Sequence, residues 1–450
     1  MGAQQQLRLA DRLSNLGTET AFAVSKAAAE WATAGNEVFP FHLGDIDLAT
    51  PRNIVDAMQD AIDFGYTGYC AGAGIEPLRA ALAHDIGSAR GLHFESNNIA
   101  VQPGGKPVIT KFIQTLMNPG DGVLFPSPGY PIYESQVEYF GGTPLPYGYS
   151  MTPTGFKIDL DRLEEQAPKA RLLIYNNLQN PLGCETSREE MERIAEIAVE
   201  HNLWVLSDEA YFEMRYSGTS TSIASLPGMS ERTVILYTFS KRFAMTGWRL
   251  GCAAGPVPVI EAISKLNTND ESCTTHFVQH AGVAALNDPS GAVPLLDELR
   301  RRRDATASAL ADVPGVEFAV PEATFYLFPR VAEAMDRVGH TNVESSQRRL
   351  FIRRACRFAH DTTSDDRFPV KTTSSSDSHI QELGSSALNV ACRDSPSGLT
   401  RERNDKPKDR RHWSNPRARN RPTERSWRGL GVDARRSHSS GHSQCTTCVC

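Results

Sequence analysis

Near-continuous apolar runs alternate along the chain with longer stretches in which apolar residues recur every three or four positions. The runs fall at residues 122–125, 171–175, 203–206, 233–237 and 249–254. Such runs, lying between helices, are the mark of strands covered on both faces. The stretches between them carry the helical period. After Gly104-Gly105-Lys106-Pro107, the residues Val108, Ile109, Phe112, Ile113, Leu116 and Met117 share one helical face, and Asn118-Pro119-Gly120 ends the helix. Ser187-Arg188-Glu189-Glu190 is a capping box opening a helix that runs through His201. Further helices are expected over residues 11–35 and 76–90, then from residue 258 to about 343, with a long one around 295–310 and one more strand near 316–318. The alternation predicts an α/β fold, a mostly parallel central sheet with helices on both faces.

Sheets of this kind bind ligands at the carboxyl ends of their strands. Asn180, Asp208, Tyr211 and Lys241 all fall just past expected strand ends. The run Thr238-Phe239-Ser240-Lys241 delivers a hydroxyl and then a lysine, and Arg249 follows between glycines at 247 and 251. In a dry cleft, desolvation lowers a lysine's pKa and makes the amine a usable nucleophile. The hydroxyl and the arginine suit a phosphate, and glycines let backbone approach closely. Gly104, Gly105 and Lys106 feed a helix N-terminus, where free N–H groups and the dipole favour an anion. Tyr130, in the proline-stiffened loop 126–133, could stack on a flat ring. Taken alone, each feature has a plainer reading: a surface Ser-Lys pair, a structural arginine, a turn at Gly44, core tyrosines at 69 and 130. Their shared placement past strand ends argues for one site, a Schiff-base lysine beside a phosphorylated cofactor.

Composition narrows the class. The chain has 450 residues, 40% of them hydrophobic, enough for one large domain or two. A net charge of -6 gives no reason to expect a nucleic-acid or membrane partner. The charge is uneven: residues 401–450 carry +8 and residues 1–400 carry -14. Nine cysteines show no paired spacing in the first 350 residues, so no disulfide framework is expected. The N-terminus lacks an apolar signal region, and no apolar run approaches the ~20 residues that cross a bilayer. A cytoplasmic location is the expectation.

From about residue 12 to about 343 these motifs, in this order, resemble a fold-type I pyridoxal-phosphate aminotransferase of class I/II, the aspartate aminotransferase-like superfamily. The resemblance implies pyridoxal 5'-phosphate as cofactor, amino-acid and 2-oxo-acid substrates, and a homodimer. It implies Lys241 as the Schiff-base lysine and Asp208 as partner of the pyridinium nitrogen. Tyr211 and Asn180 would bond the ring 3-oxygen. Gly105 and Lys106 would offer backbone N–H groups to the phosphate, with Thr238 and Arg249 adding side chains. Tyr130 would stack on the ring, Tyr69 would reach the phosphate of a neighbouring subunit, and Gly44 would lie near the substrate carboxylate. A large cofactor domain would span about residues 55–290, with small-domain parts at 12–50 and 291–343. Leu182 departs from the family's Asn-Pro-Thr-Gly.

Residues 344–450 depart altogether. The family's last segment supplies a substrate-carboxylate arginine in a pattern like Tyr/Phe-Ile-Arg-x-x-Tyr/Phe, and nothing here matches it. The last 50 residues hold only ten apolar residues of the AVILMFWYC set, a composition of disorder. A frame slip would account for this. Back-translating residues 354–383 with permitted codons and reading from the third base of the Arg354 codon gives, for one choice, G-V-S-V-C-T-R-H-H-F-G-R-P-L-P-G-E-D-D-F-F-I-R-F-A-Y-S-G-I. That reading contains the missing arginine, its codon overlapping those of Ser376 and Asp377. The segment is expected to be a disordered or frameshifted tail, and the small domain incomplete. The alternatives to an aminotransferase are a catalytically impaired protein lacking that arginine, or a lyase on the same scaffold.

Overall fold

The computed structural model describes residues 8–17, 20–35, 38, 44–337, 371–373 and 387–389. Its strands are β1 Ile99–Gln102, β2 Gly122–Pro126, β3 Thr143–Tyr147, β4 Tyr149–Thr152, β5 Gly155–Ile158, β6 Ala170–Asn176, β7 Trp204–Asp208, β8 Thr233–Thr238, β9 Gly251–Ala254, β10 Tyr326–Leu327, β11 Lys371–Thr373 and β12 Ala387–Asn389. Its helices are α1 Thr20–Thr33, α2 Arg52–Asp63, α3 Glu76–Arg90, α4 Lys106–Leu116, α5 Ile132–Tyr139, α6 Leu160–Gln166, α7 Arg188–Glu200, α8 Phe239–Arg242, α9 Val257–Asp270, α10 His276–Asn287, α11 Ala292–Ala311 and α12 Ala332–Arg337.

Seven strands form one sheet in the order β1-β9-β8-β7-β6-β2-β3. All pairings from β8 to β3 are parallel, and β9 runs against both β8 and β1. Six strands therefore point one way and β9 alone is reversed, which bears out the mostly parallel sheet. Both faces are covered. On one, Leu172, Ile174, Leu206, Val234 and Leu236 pack with Ile109 and Phe112 of α4, Tyr133 and Val137 of α5, and Ile260 and Ile263 of α9. On the other, Ile235, Tyr237 and Cys252 meet Leu78 and Leu82 of α3 and Ala281 of α10. Leu173, Tyr175 and Val205 meet Met191, Ile194 and Ile197 of α7. Successive strand residues face opposite sides, so near-continuous apolar runs are what two covered faces demand. The capping box is formed: the Ser187 hydroxyl accepts from the Glu190 N–H (3.2 Å), and the Glu190 carboxylate accepts from the Ser187 N–H (3.0 Å).

Several expectations are corrected. The single helix over 11–35 is a short 3-10 turn, Asp11–Asn15, followed by α1. The strand near 316–318 reduces to a lone bridge between Glu317 and Arg330. The expected strand at 249–254 begins only at Gly251, because Arg249 has a left-handed backbone (φ 55°). Strand β3 escaped notice because Pro144 and Pro146 interrupt it; it is the sheet's edge, where missing N–H groups are tolerated. Of the segment expected to be a disordered or frameshifted tail, the described residues form β11 and β12: β12 pairs antiparallel with β10, and β11 with β12, in a small three-stranded sheet. The rest of 344–450 lies outside the described residues. Among the described residues, no helix is long and apolar enough to cross a membrane.

A buried ion cluster ties helix α3 to the sheet. The Arg90 guanidinium bonds the Glu209 carboxylate, reaches Glu213 at 3.1 Å, and lies 3.8 Å from the Phe212 ring centre. Burial opposes the arginine's charge, but Glu209 and Glu213 outweigh it and push its pKa up. Arg90→Met would leave two carboxylates buried without their cation. It is expected to cost about 3–5 kcal/mol in denaturant unfolding of the whole chain. A loss below about 1 kcal/mol would show the cluster to be replaceable.

Candidate active site

The carboxyl ends of the six like-directed strands lie along one edge of the sheet, and the loops leaving them converge there. Reversed β9 starts at that same edge. Gly251 sits between Gln102 of β1 and Thr238 of β8, Asp208 lies beside Leu236, and Asn176 lies beside Asp208. Arg249, two residues before β9, thus arrives next to Thr238. The sheet's one antiparallel insertion accounts for a distant arginine meeting the lysine-bearing loop.

Lys241 stands on the one-turn helix α8, three residues past β8. Thr238 caps that helix, its Oγ1 accepting from the Ser240 N–H at 3.2 Å. The half-buried Lys241 Nζ donates to the Gly44 carbonyl at 2.6 Å, with the ring centres of Phe325 and Tyr211 5.1 Å and 6.0 Å away. Tyr211 and Tyr326 share a hydroxyl–hydroxyl bond of 2.6 Å. A Cβ placed on Gly44 would stand 3.1 Å from the Tyr326 hydroxyl, so this glycine permits the close approach. The 44–47 stretch is anchored by Thr246 to Asp45 (2.6 Å) and Arg302 to Asp47 (2.8 Å).

Asp208 ends β7 and is buried. Its Oδ2 accepts from the Tyr133 hydroxyl (2.7 Å) and its Oδ1 from the Ala210 N–H (3.2 Å). Burial pushes the carboxyl up to about 6; Tyr133 and the Ala210 N–H pull the other way, and Glu209 adds to the rise. Among the described residues no cation pairs with it. Tyr133 meets Tyr130 edge-on at 5.7 Å between centres, and Lys106 Nζ lies 5.8 Å from the Tyr130 centre. The Asn176 amide holds the Asp208 carbonyl at 2.9 Å, and its oxygen accepts from the Asn180 N–H at 2.9 Å. Gln179 donates to the Pro128 carbonyl at 2.7 Å, joining the loops after β6 and β2. Tyr211 links the Lys241 and Asp208 groups. Its phenol is pushed far above its usual value by burial first, then by Tyr326, Asp208 and Tyr130.

A third group lies at the N-terminus of α4. Gly104 has φ +99°, and a Cβ there would stand 2.1 Å from Arg249 Nη2. A Cβ on Gly105 would lie 3.7 Å from the Thr238 Cβ. Thr238 Oγ1 bonds the Ser240 hydroxyl at 2.9 Å, and Arg249 Nη1 donates to the Thr246 carbonyl at 2.7 Å. The start of α4, a hydroxyl pair and a guanidinium therefore lie together.

The structure thus brings Gly44, Gly105, Lys106, Tyr130, Asn180, Asp208, Tyr211, Thr238, Lys241 and Arg249 to one edge. Tyr69 stays apart: it is 87% exposed on the loop before α3, and among the described residues its side chain makes no hydrogen bond. Sequence reasoning missed Tyr133, Phe325, Tyr326 and the Arg90–Glu209 pair. Tyr133 had a signal, standing one helical turn beyond Tyr130. Tyr326 had none, since 115 residues separate it from Tyr211.

The comparisons with known proteins agree with this geometry. The model of the family "Aminotransferase class I and II" matches residues 36–354. The aspartate aminotransferase of Bacillus sp. (strain YM-2) is 33% identical over 343 residues, covering 75% of this chain and 86% of the relative. The aspartate/prephenate aminotransferase of Cereibacter sphaeroides is 33% identical, covering 72% and 82%. Among solved structures, a single mutant of Thermus thermophilus aspartate aminotransferase superposes with a TM-score of 0.73 at 26% identity, covering 85% of this chain and 95% of that one. With strand-end lysine and buried carboxylate on one edge, and a family model spanning most of its length, this chain belongs to the class I and II aminotransferases, pyridoxal-phosphate enzymes acting on amino acids and 2-oxo acids.

Proposed function

We propose that Lys241 is the residue that binds the cofactor covalently and then moves the proton, and that Asp208 faces the ring nitrogen. The observation carrying this is a pair: a carboxylate buried with no cation among the described residues, and an amine near the same tyrosine, Tyr211. A cationic flat ring held by both would satisfy the carboxylate. When bound, pyridoxal phosphate supplies an electron sink for the pair released at the amino acid's Cα. The protein's part is positional and protonic. The Asp208 carboxylate favours a proton on the ring nitrogen. Lys241 Nζ, leaving the Gly44 carbonyl, takes the proton from Cα and returns one as general acid. Tyr211 and Asn180 would hold the 3-oxygen and Tyr130 the ring face. The main chain at Gly105 and Lys106, with Thr238 and Arg249, would hold the phosphate; these contacts position and do no chemistry. Gly44 would lie by the substrate carboxylate. An exposed Tyr69 suits a side chain that completes a second copy's phosphate site in a homodimer, and the cytoplasm is the proposed location. Aspartate, which names the relatives, is the first donor to assay.

The large domain is proposed to span about 55–290, with small-domain parts at 12–50 and 291–343, and the reading frame to slip near residue 344. The family match ending at residue 354 supports the slip.

Four outcomes are expected. The full chain incubated with pyridoxal phosphate acquires an absorbance band above that of free cofactor, and Lys241→Ala lacks it; a band surviving in the variant places the covalent bond elsewhere. Asp208→Asn binds the cofactor about 10²–10³-fold more weakly by equilibrium titration, the loss of a buried charge partner. Without cofactor the same substitution reveals a pH effect. An unfolded carboxyl releases its proton near pH 4 and the folded Asp208 near 6. The folded state therefore holds the extra proton between those values, and its stabilising contribution is lost as pH rises through about 6. Native stability relative to Asp208→Asn should fall across that window; a flat difference would show that Asp208 is not desolvated. Finally, sequencing the coding DNA across residues 344–383 should show an open alternative frame encoding the Phe-Ile-Arg segment. Early stops there would refute the slip.

A further inference from the structure

The loop of residues 68–75, between α2 and α3, is held from beneath at three points. Gln279 of α10, fully buried, accepts from the Ile75 N–H at 2.8 Å and donates to the Cys70 sulfur at 3.2 Å. Asn267 of α9, also buried, donates to the Gly72 carbonyl at 2.9 Å. Gly74 has φ +99°, and a Cβ there would stand 2.3 Å from Val101 Cγ2. The third point is a thiol. Cys273, in the turn between α9 and α10, accepts from the Cys70 N–H at 3.5 Å, and the Cys70 thiol donates to the Ala71 and Thr274 carbonyls at 3.8 and 3.7 Å. Both cysteines are half-buried and both are reduced in the structure. A sulfur this close to its partner's main chain lies within the span that a disulfide bridges. They are 203 positions apart in sequence, so no spacing rule reveals them.

We propose that Cys70 and Cys273 are a redox-sensitive pair that a low-molecular-weight disulfide closes to a protein disulfide, clamping the loop that carries Tyr69 to the α9–α10 turn. The exchange balances. The Cys273 thiolate attacks one sulfur of the oxidant, forming a mixed disulfide and releasing one thiol. Cys70 then displaces the second, its sulfur bonding Cys273. Two electrons pass from the protein to the oxidant, and the two thiol protons leave on the released thiols. Cys273 is the attacking residue because burial, then the bond with Cys273 itself, hold the Cys70 thiol up at about 11. The effect on catalysis rests on the preceding reading of Tyr69. Clamping residue 70 restricts its neighbour, so less freedom remains to be lost when Tyr69 docks on a second copy's cofactor.

The test treats the cofactor-loaded full chain with oxidised glutathione, quenches with acid, and maps disulfides by peptide mass. Expected is a peptide containing Cys70 joined to one containing Cys273, lost on adding dithiothreitol. Cys70→Ser should instead carry glutathione on Cys273, whereas Cys273→Ser should leave Cys70 unmodified. Finding both thiols free after oxidation, or Cys70 joined to any other cysteine, would overturn the pair. In the linked protein, pyridoxal phosphate should dissociate several-fold more slowly, followed by its absorbance, and at the unlinked rate in both variants. A linked protein with unchanged release would leave the clamp standing and count against the assignment of Tyr69 to the phosphate.

Discussion

Everything at the sheet edge is arranged around a carboxylate kept from water that pairs with no cation among the described residues. Asp208 ends the central strand β7, flanked on both sides by parallel strands, and a tyrosine hydroxyl and one main-chain N–H are its hydrogen-bond donors. A buried charge in that position raises its own pKa and attracts any cation that can reach it. Its sequence neighbour has the opposite fate. Side chains alternate along a strand, so Glu209 turns to the other face, where Arg90 and two serine hydroxyls satisfy it. Two adjacent acids thus differ: Glu209 is neutralised by the fold, while Asp208 meets no cation among the described residues.

The reversed strand organises the other end of the cluster, around Thr238 and Arg249. Had β9 run parallel, Arg249 would have entered the sheet at the opposite edge. Its reversal brings Arg249 in beside Thr238 and against Gly104, whose missing Cβ leaves room for the guanidinium. The left-handed backbone at Arg249 is the turn that makes the entry possible. Lysine, hydroxyl and arginine, within twelve residues of chain, close into one small cluster because a strand turns back.

Much of this was written in local pattern. Consecutive apolar residues mark doubly covered strands because both faces of a parallel sheet are dry, and the Ser187–Glu190 box marks a helix start because four N–H groups there need acceptors. Lys241, Asp208, Tyr211 and Asn180 were legible from their place after such strands, and Arg249 from the glycines around it. Tyr133, Tyr326 and the Arg90 pair were not. Each gains its role from contacts across 75 to 119 positions, and nothing local distinguishes such a tyrosine or arginine from an ordinary core or surface one.

The amino-acid order by itself settled the layered α/β class, the strand-end placement of the chemistry and the family likeness, since periodicity and short motifs act within a few residues. Tertiary structure decided which residues meet: that β9 turns back, that Tyr133 reaches Asp208, that Lys241 rests on Gly44, and that Cys273 meets the main chain of Cys70. Those are outcomes of packing, and packing is settled only when every element has found its neighbour.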